Sequence, residues 1–529
     1  MKNSKNYMKR FVSGLGIFGL ISTAFVSSAS AQTHENVYDM VILNGRVVDP
    51  ETGLDAVRNV GVSEDKISIV TEDTISGNVV IDATDRVVAP GFIDLHAHGQ
   101  RIPAGRMQAK DGVTTALELE VGVLPVGAFY EAVAKEGRPI NYGTAASWAH
   151  ARVAEFVGEE PEADVHWFTG HFGSSEWQES IADEKQTDAI MNRVQAGLDE
   201  GGLGVGVALG YAPGSGRKEY HALNKLAAKN EVPSFTHARF LSVTEPESSF
   251  EGYQEMVAVA VATGAHMHIC HLNSISMRDI GSIAPLVKSA QEAGARITVE
   301  AYPYGAGSTS IGAAMFKEPG WQEKLGGIKK SDFTVDGKAL TDEEFDRLQK
   351  EAPNTGVVLH MIHPDKYPSD QEALDMSILY PGGAIASDGG GWSDKNGMIK
   401  SSVWPLPEDA NSHPRAAGTF SKFLRVYVRE RESLSLLEAI NKTSTIPAKI
   451  LEQSVPQMRQ KGRIQTGADA DIVVFDLATV SDRATYEKPA QASVGFDYVI
   501  VGGTPLITNG LLDTTVLPGQ PIRRPVKTE

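Results

Sequence analysis

The chain has 529 residues, with 49 lysines and arginines against 67 aspartates and glutamates, so its formal net charge is −18. A surface this acidic repels nucleic acid and anionic lipid, and we expect neither as a partner. The single cysteine, Cys270, excludes an internal disulfide and a cluster of thiolates. Stability must therefore come from a buried core, and the length suffices for one large domain with an accessory one.

The first residues have the composition of an export signal. Residues 1–10 carry four basic and no acidic side chains, residues 11–26 are mostly apolar, and Ser28-Ala-Ser-Ala31 supplies small residues for cleavage. The apolar run is interrupted by glycines and is short for a membrane span. We predict a signal peptide over residues 1–31 and a secreted or periplasmic mature protein without a membrane insertion.

Both ends of the remaining chain are typical of β structure. Residues 38–48 predict a strand, an Asn-Gly turn and a second strand, and residues 471–476 and 498–508 repeat this style near the C-terminus. We expect residues 32–90 and 456–529 to form one small β-sandwich built from both termini.

The middle of the chain, residues 91–455, alternates strands with helices in the manner of a parallel α/β barrel. The predicted strands lie at 91–96, 113–120, 140–147, 203–209, 232–237, 265–271, 296–302 and 384–388. The connection before the last strand is far longer than usual, so we predict an insertion at about 305–382 that covers the site. The predicted fold class is α/β, a (β/α)8 TIM-like barrel with the accessory β-sandwich.

Side chains that bind metals end several of these strands. His96 and His98 lie two residues apart after the first strand, and alternation in a strand points both to one side. The other candidates end strands 2, 5, 6 and 8: Glu120, His237, His271 and Asp388. The carboxyl ends of barrel strands meet at one mouth. The sequence therefore predicts a site there for Zn²⁺, one or two ions, or for another divalent metal.

Three neighbours of these candidates receive a different interpretation. Glu118 shares a strand face with Glu120, but Glu120 is nearer the strand end and is preferred as the ligand. His268 and Cys270 have the opposite strand parity to His271. We therefore expect both to face away from the metal, with Cys270 acting as a small buried hydrophobe.

The chain resembles the amidohydrolase superfamily. Within it, the chain is similar to the N-acyl-D-amino-acid deacylases, including a subgroup labelled D-glutamate deacylase. The most specific matching segments are Tyr302-Pro-Tyr304 and His413-Pro-Arg-Ala-Ala-Gly-Thr-Phe420, and the resemblance covers nearly the whole mature chain. It implies histidine ligands, Asp388 as the catalytic acid/base, and hydrolysis of the amide bond of an N-acyl amino acid.

The resemblance also implies a small-molecule substrate that bears a carboxylate. The residues that match substrate-binding positions are Tyr211, Tyr302, Ser308 and Arg415. Arginine can hold a carboxylate through two parallel hydrogen bonds, which supports Arg415 on chemical grounds. Arg239 is a second candidate cation, and His150, after the third strand, is a second candidate donor to the developing oxyanion.

Two departures from the family pattern leave alternatives open. Many relatives have a cysteine where this chain has Glu120, and deacylases commonly have a lysine where this chain has Asn273. A peptidase or cyclic-amide hydrolase of the same superfamily, acting on isoaspartyl-like dipeptides, diketopiperazines or hydantoins, is one alternative. A barrel that only binds its ligand is another. Homo-oligomer formation also stays open.

Overall fold

The computed structural model describes residues 37–527, all of which belong to one structural unit. The predicted signal peptide lies outside the described residues. Within this range, none of the helices has both the length and the apolar character that crossing a bilayer requires.

The strands and helices alternate through the middle of the chain and give way to strands at both ends. The strands are β1 (Val37–Asp49), β2 (Leu54–Ser63), β3 (Lys66–Thr71), β4 (Ser76–Asp82), β5 (Val87–Pro90), β6 (Phe92–Asp94), β7 (Val113–Val123), β8 (Asn141–Ser147), β9 (Val205–Ala208), β10 (Pro233–His237), β11 (His266–Ile269), β12 (Ile297–Ala301), β13 (Ala306–Ser310), β14 (Phe333–Val335), β15 (Lys338–Ala339), β16 (Gly356–His360), β17 (Ala384–Ile385), β18 (Ser393–Asp394), β19 (Gly397–Met398), β20 (Ile472–Phe475), β21 (Phe496–Val501), β22 (Thr504–Thr508) and β23 (Leu511–Leu512). The α-helices are α1 (Ile102–Lys110), α2 (Val126–Glu136), α3 (Trp148–Val157), α4 (Glu176–Glu179), α5 (Glu184–Asp199), α6 (Arg217–Lys229), α7 (Ser249–Thr263), α8 (Leu272–Ser276), α9 (Ile280–Glu292), α10 (Trp321–Lys324), α11 (Asp342–Glu351), α12 (Pro368–Ile378), α13 (Arg415–Phe423), α14 (Leu436–Ile440) and α15 (Ile446–Leu451).

Eight parallel strands form the barrel, in the order β6-β7-β8-β9-β10-β11-β12-β17. The ring closes just beyond the strand ends, where Ala97 forms a bridge with Gly389 and the Gly99 N–H donates to the Gly389 carbonyl. Asp94, at the end of β6, accepts the Ser387 N–H at 2.9 Å and also binds its hydroxyl. The (β/α)8 prediction is confirmed, and each predicted strand overlaps an observed one.

Helix ends follow local capping chemistry, as α7 illustrates. The Ser248 hydroxyl accepts the Glu251 N–H, while the Glu251 carboxylate accepts the Ser248 N–H. The helix ends before Gly264, whose φ of 70° is the left-handed conformation that glycine adopts without strain. These signals set the two ends of α7 at Ser249 and Thr263.

The two chain ends combine into one mixed sheet of nine strands, β1 to β5 and β20 to β23. β1 pairs with β2 along one edge and with β4 and then β5 along the other, so the sheet folds around an apolar interior. β5 pairs with β20, which joins the N-terminal strands to the C-terminal ones. Phe475 and Phe496 of this sheet contact Phe92 of the barrel, which stacks on Phe420 of α13.

The segment between β12 and β17 forms a layer over the barrel mouth. Its sheet has the order β13-β16-β14-β15, with antiparallel pairing throughout. Phe333, Val357 and Leu359 belong to a separate apolar core together with Trp321 and Phe345. Part of this layer lines the cavity described below.

Candidate metal centre and active site

Four imidazoles and two carboxylates meet at the mouth of the barrel. Three overlapping groups of ligand atoms each lie within 4.8 Å of one another: His96, His98 and Glu120; His96, His271 and Asp388; and Glu120, His237 and His271. The structure therefore brings all five predicted ligands and Asp388 to one place, although they come from five different strand ends.

Glu120 lies between two sets of imidazoles. Its Oε2 lies 3.1 Å from His96 Nε2 and 3.5 Å from His98 Nε2, while its Oε1 lies 2.7 Å from His271 Nε2. The two oxygens of one carboxylate thus face different ligand groups. This is the arrangement needed for a carboxylate that bridges two cations.

Carboxylates behind the first two histidines orient their rings. His96 Nδ1 lies 2.6 Å from Glu300 Oε1, and His98 Nδ1 lies 2.7 Å from Glu118 Oε2. A carboxylate only accepts hydrogen bonds, so we assign the ring proton of each histidine to Nδ1. When the ring is neutral, Nε2 then directs a lone pair at the centre, as metal-binding histidines require.

The donor set at the centre fits a divalent cation. His96 Nε2 and His98 Nε2 lie 3.1 Å apart, and each lies 3.4 Å from Asp388 Oδ1. Lone pairs and carboxylate oxygens at these separations repel unless positive charge lies among them. Burial alone would lower the pKa of His96, but the charges of Glu120, Asp388 and Glu300 raise it well above its ordinary value. The cluster therefore attracts a cation, and imidazole with carboxylate is a ligand set that suits zinc.

His237 completes the second ligand group. Its Nδ1 donates to the Ala238 carbonyl at 2.8 Å, which leaves Nε2 free to bind. Burial lowers the pKa of His237 to about 4, so the ring is neutral. A Cβ at Gly210 would lie 2.5 Å from this Nδ1, so the ring position depends on a glycine there.

The predicted orientation of His268 and Cys270 is wrong, because the strand ends before His271. β11 stops at Ile269, and His271 has a left-handed φ of 32°, so alternation does not extend to it. His268 Nε2 instead contacts Glu300 Oε2 at 3.1 Å in the barrel interior. The Cys270 thiol lies within 4.8 Å of the ligand atoms of His96 and Glu300.

Sequence reasoning assigned no positioning role to three buried acids that hold this centre. Glu300 bridges His96 and His268, and Glu118 orients His98 while accepting the Val121 and Gly122 N–H groups. Asp94 binds the turn that carries Asp388, through Ser387. The available signal was an acid inside an otherwise apolar parallel strand, since such a residue must be paired when buried.

A cavity of about 580 Å³ opens above the ligands and is lined by four predicted substrate-binding residues. They are Tyr211, Tyr302, Ser308 and Arg415. Arg415 Nη1 lies 2.9 Å from Asp388 Oδ2, and its guanidinium stands 4.7 Å over the Tyr302 ring. Arg415 Nε and the Tyr302 hydroxyl are buried without a hydrogen-bond partner among the described residues.

Two other predicted substrate contacts lie outside this cavity, and we withdraw them. All three guanidinium nitrogens of Arg239 donate to protein acceptors, chiefly the Glu255 carboxylate at 2.8 Å and the Ser215 carbonyl. The His150 ring packs against Trp167 and Phe168, and its Nδ1 accepts the Leu124 N–H at 3.1 Å. Both side chains are occupied by partners that are distant in the sequence, and residue spacing does not reveal such partners.

Asn273, which stands where deacylases commonly have a lysine, serves the backbone rather than the cavity. Its Nδ2 donates to the Tyr304 carbonyl at 3.2 Å, and its Oδ1 accepts the Tyr302 N–H at 3.3 Å. The side chain is buried and fixes the segment that follows β12.

Asp388 is held in its charged form. Burial by itself would raise the pKa of Asp388, but the charges of Arg415 and His96 and a hydrogen bond to His98 lower it below its ordinary value. The residue has a φ of 52° and precedes Gly389, a sequence that tolerates this conformation. The ionised Asp388 carboxylate thus stands between the ligand cluster and Arg415.

Known proteins are similar to this chain along most of its length. The model of the Amidohydrolase family matches residues 79–160 and 162–507. N-acyl-D-glutamate deacylase of Alcaligenes xylosoxydans xylosoxydans is 26% identical over 494 residues, which is 88% of this chain and 93% of that protein. D-aminoacylase of the same organism is 23% identical over 502 residues, 90% of this chain and 96% of that protein.

Solved structures show the same fold. N-acyl-D-glutamate deacylase from Bordetella bronchiseptica, complexed with zinc and a phosphonate mimic of the tetrahedral intermediate, superposes with a TM-score of 0.71 at 24% identity, covering 92% of this chain and 100% of that one. D-aminoacylase gives a TM-score of 0.72 at 21% identity with the same coverage. Because the family model spans most of the sequence, the chain belongs to the amidohydrolase family.

Proposed function

We propose that this protein is a metal-dependent hydrolase that cleaves the amide bond of N-acyl-D-amino acids and releases a carboxylate and a free amino acid. The similarity to N-acyl-D-glutamate deacylase, D-aminoacylase and N-acyl-D-aspartate deacylase supports the reaction and the D configuration. The centre at the barrel mouth supplies the groups that such a reaction needs.

The observation that carries the proposal is the state of Arg415. Its side chain is 2% exposed, its Nη1 pairs with the Asp388 carboxylate, and its Nε has no hydrogen-bond acceptor in residues 37–527. A buried guanidinium with an unused donor is costly, and a substrate carboxylate would satisfy it with paired, charge-assisted hydrogen bonds. A free α-carboxylate beside the scissile amide is what distinguishes an N-acyl amino acid from a neutral cyclic amide.

The metal we propose is zinc, held by His96, His98 and Glu120 in one group and by Glu120, His237 and His271 in the other. When bound, such a cation supplies Lewis-acid chemistry, making water nucleophilic near neutral pH and polarising a carbonyl. The shared Glu120 can serve one ion or two.

The chain's own side chains account for proton movement. Water attacks the acyl carbon, and Asp388, which is ionised, accepts the water proton. The Tyr302 hydroxyl is buried without a hydrogen-bond partner in the part of the chain that the structure describes. Tyr302 lines the cavity, and its hydroxyl can donate to the oxygen that gains charge. When the carbon–nitrogen bond breaks, Asp388 returns the proton to the departing amine, so the products are a carboxylate and an amino acid.

The test is a substrate screen with zinc-loaded protein. The screen compares N-acetyl and N-formyl D-amino acids with their L enantiomers, with hydantoins and with diketopiperazines. The Asp388→Asn variant is the blank. We expect turnover of the D-acyl amino acids and a loss of about 10²- to 10⁴-fold in the variant, as removal of a general acid/base gives. Turnover of the cyclic amides alone would replace the proposal with the cyclic-amide alternative.

We also propose that the protein is exported, on the evidence of the basic and apolar composition of residues 1–31. Expression of the full chain in a Gram-negative host should give a periplasmic protein whose first residue is Gln32. An intact N-terminus in the cytoplasmic fraction would contradict this.

A further inference from the structure

We infer that the substrate's amino-acid side chain is neutral and apolar, and that the cavity rejects an acidic one. The inference rests on the proposed deacylase function and narrows its substrate class. It separates this chain from its relative N-acyl-D-glutamate deacylase, whose name specifies an acidic amino acid.

The cavity offers one cationic side chain, whereas an acidic substrate, which carries two carboxylates, would need two. Among the described residues that line it, Arg415 is the single lysine or arginine. That guanidinium already lies 2.9 Å from Asp388 and is the partner for the α-carboxylate. A side-chain carboxylate would be a second anion without a cation, and burying an unpaired carboxylate is strongly unfavourable.

The two histidines of the cavity wall that are not proposed metal ligands, His166 and His413, do not replace the missing cation. Burial lowers the pKa of both His166 and His413 below the ordinary value. Both ring nitrogens of His413 are also in use, since Nδ1 accepts the Arg415 N–H and Nε2 donates to the Ala306 carbonyl. These rings are neutral and add no positive charge.

The cavity rim adds negative charge rather than positive. Asp336, in the turn between β14 and β15, lines the cavity, and its carboxylate accepts the Asn411 side-chain amide at 2.8 Å across the rim. An incoming substrate with an acidic side chain meets this charge in addition to those of Glu120 and Asp388. A bound metal would balance the last two but not Asp336.

The strands β13, β14 and β16 of the insertion contribute uncharged side chains to the cavity wall. Ser308, Val358 and Thr334 lie opposite one another across β13, β16 and β14, and all three line the cavity. Phe168, Phe172 and Tyr211 line it as well and supply aromatic surface. Such a surface gains free energy by covering an apolar side chain and offers an acidic one no partner.

The experiment uses the zinc-loaded mature enzyme and compares substrates of equal size and different charge. N-acetyl-D-glutamine and N-acetyl-D-glutamate differ only in charge, and N-acetyl-D-leucine tests the apolar preference. We expect kcat/KM to be about 100-fold higher for the leucine substrate than for glutamate and about tenfold higher for glutamine than for glutamate, consistent with a few kcal/mol for an unpaired charge.

Variants at the insertion wall provide the matched control. Val358→Lys places a cation in the cavity, and Val358→Gln adds a neutral side chain of similar length. The lysine variant should reduce the leucine-to-glutamate ratio by about tenfold, while the glutamine variant should change it by less than about threefold. Thermal melting shows whether Val358→Lys is folded. If it is not, Thr334→Lys repeats the test, because Thr334 pairs with Val358 across β14 and β16.

A second readout does not depend on turnover. Calorimetry with zinc-loaded Asp388→Asn should show tighter binding of N-acetyl-D-leucine than of N-acetyl-D-glutamate. Equal or better use of glutamate by the wild type, with equal or tighter binding, would overturn the inference and leave the deacylase function standing. Failure to hydrolyse any N-acyl-D-amino acid would overturn both, and the two failures are therefore distinguishable.

Discussion

Arg415 and Asp388 form an ion pair inside the barrel mouth, with Nη1 of the guanidinium 2.9 Å from Oδ2 of the carboxylate. Arg415 begins α13, and Asp388 lies in the left-handed turn after β17. The group that we propose to anchor the substrate is thus in contact with the group that moves the proton. Binding of the substrate carboxylate therefore positions the amide relative to Asp388.

Replacement of Arg415 tests the carboxylate contact. Arg415→Ala should lower kcat/KM for N-acetyl-D-leucine by about 100-fold or more, because a buried charged partner is lost. Arg415→Lys should recover only part of this, since lysine cannot donate two parallel hydrogen bonds. The control substrate is N-acetyl-D-leucinamide, which lacks the free carboxylate. Equal losses for the acid and the amide would contradict the assignment.

The carboxylates behind the histidines should control metal affinity. Glu300→Gln and Glu118→Gln leave His96 and His98 in place but weaken the hydrogen bonds that orient their rings. Removal of such a partner typically weakens metal binding by about 10- to 100-fold, which competition with a chelator measures.

Glu219→Gln is the control for these two variants. Glu219 is equally buried but pairs with Arg152 at 2.6 Å and contacts no proposed ligand. It should lower thermal stability while zinc affinity stays unchanged. If zinc affinity is the same in Glu300→Gln as in the wild type, Glu300 has no positioning role.

Gly210 tests the second ligand group separately. A Cβ at this position would lie 2.5 Å from His237 Nδ1 and 2.7 Å from the Ala238 carbonyl oxygen. Gly210→Ala should displace the His237 ring and reduce bound zinc, measured by elemental analysis of the folded protein. Gly216→Ala serves as the control, because the nearest atom to its Cβ would lie at 3.4 Å. Unchanged zinc content in Gly210→Ala would exclude His237 as a ligand.

Metal binding should strengthen as the pH rises. Burial opposes protonation of His96 and His98, yet the neighbouring carboxylates raise the pKa of both well above the ordinary value. The metal-free protein therefore carries protons on these rings at neutral pH, and zinc must displace them. Calorimetry in buffers of different ionisation enthalpy should detect proton release at pH 7. Zinc affinity that is independent of pH between 6 and 8 would contradict this.

The barrel and its ligand set were predictable because they depend on local patterns. Buried parallel strands are apolar along their length, as in β7, and a ligand at a strand end follows from barrel geometry. Strand-end geometry was enough to identify the six residues of the centre, which are His96, His98, Glu120, His237, His271 and Asp388. Their mutual distances could not, since these depend on five separate strand ends.

The errors arose where the backbone leaves the strand or where a partner is distant in sequence. Strand alternation predicts that His268 faces away from the metal. However, β11 ends two residues before His271, whose left-handed φ changes the direction of its side chain. Arg239 lies two residues after His237 in the sequence, which makes it a candidate to bind the substrate. The structure instead pairs Arg239 with Glu255 of α7. Neither a break in φ nor a long-range ion pair is visible in residue spacing.

The central claim is that imidazoles from separate strands share a metal with Glu120 beside Asp388. Anomalous diffraction at the zinc edge, from crystals of the zinc-loaded protein, tests it most directly. The account predicts a peak within about 2.0–2.2 Å of the Nε2 atoms of His96 and His98, or of His237 and His271, and of a Glu120 oxygen. Stoichiometric zinc with no peak among these atoms would contradict it.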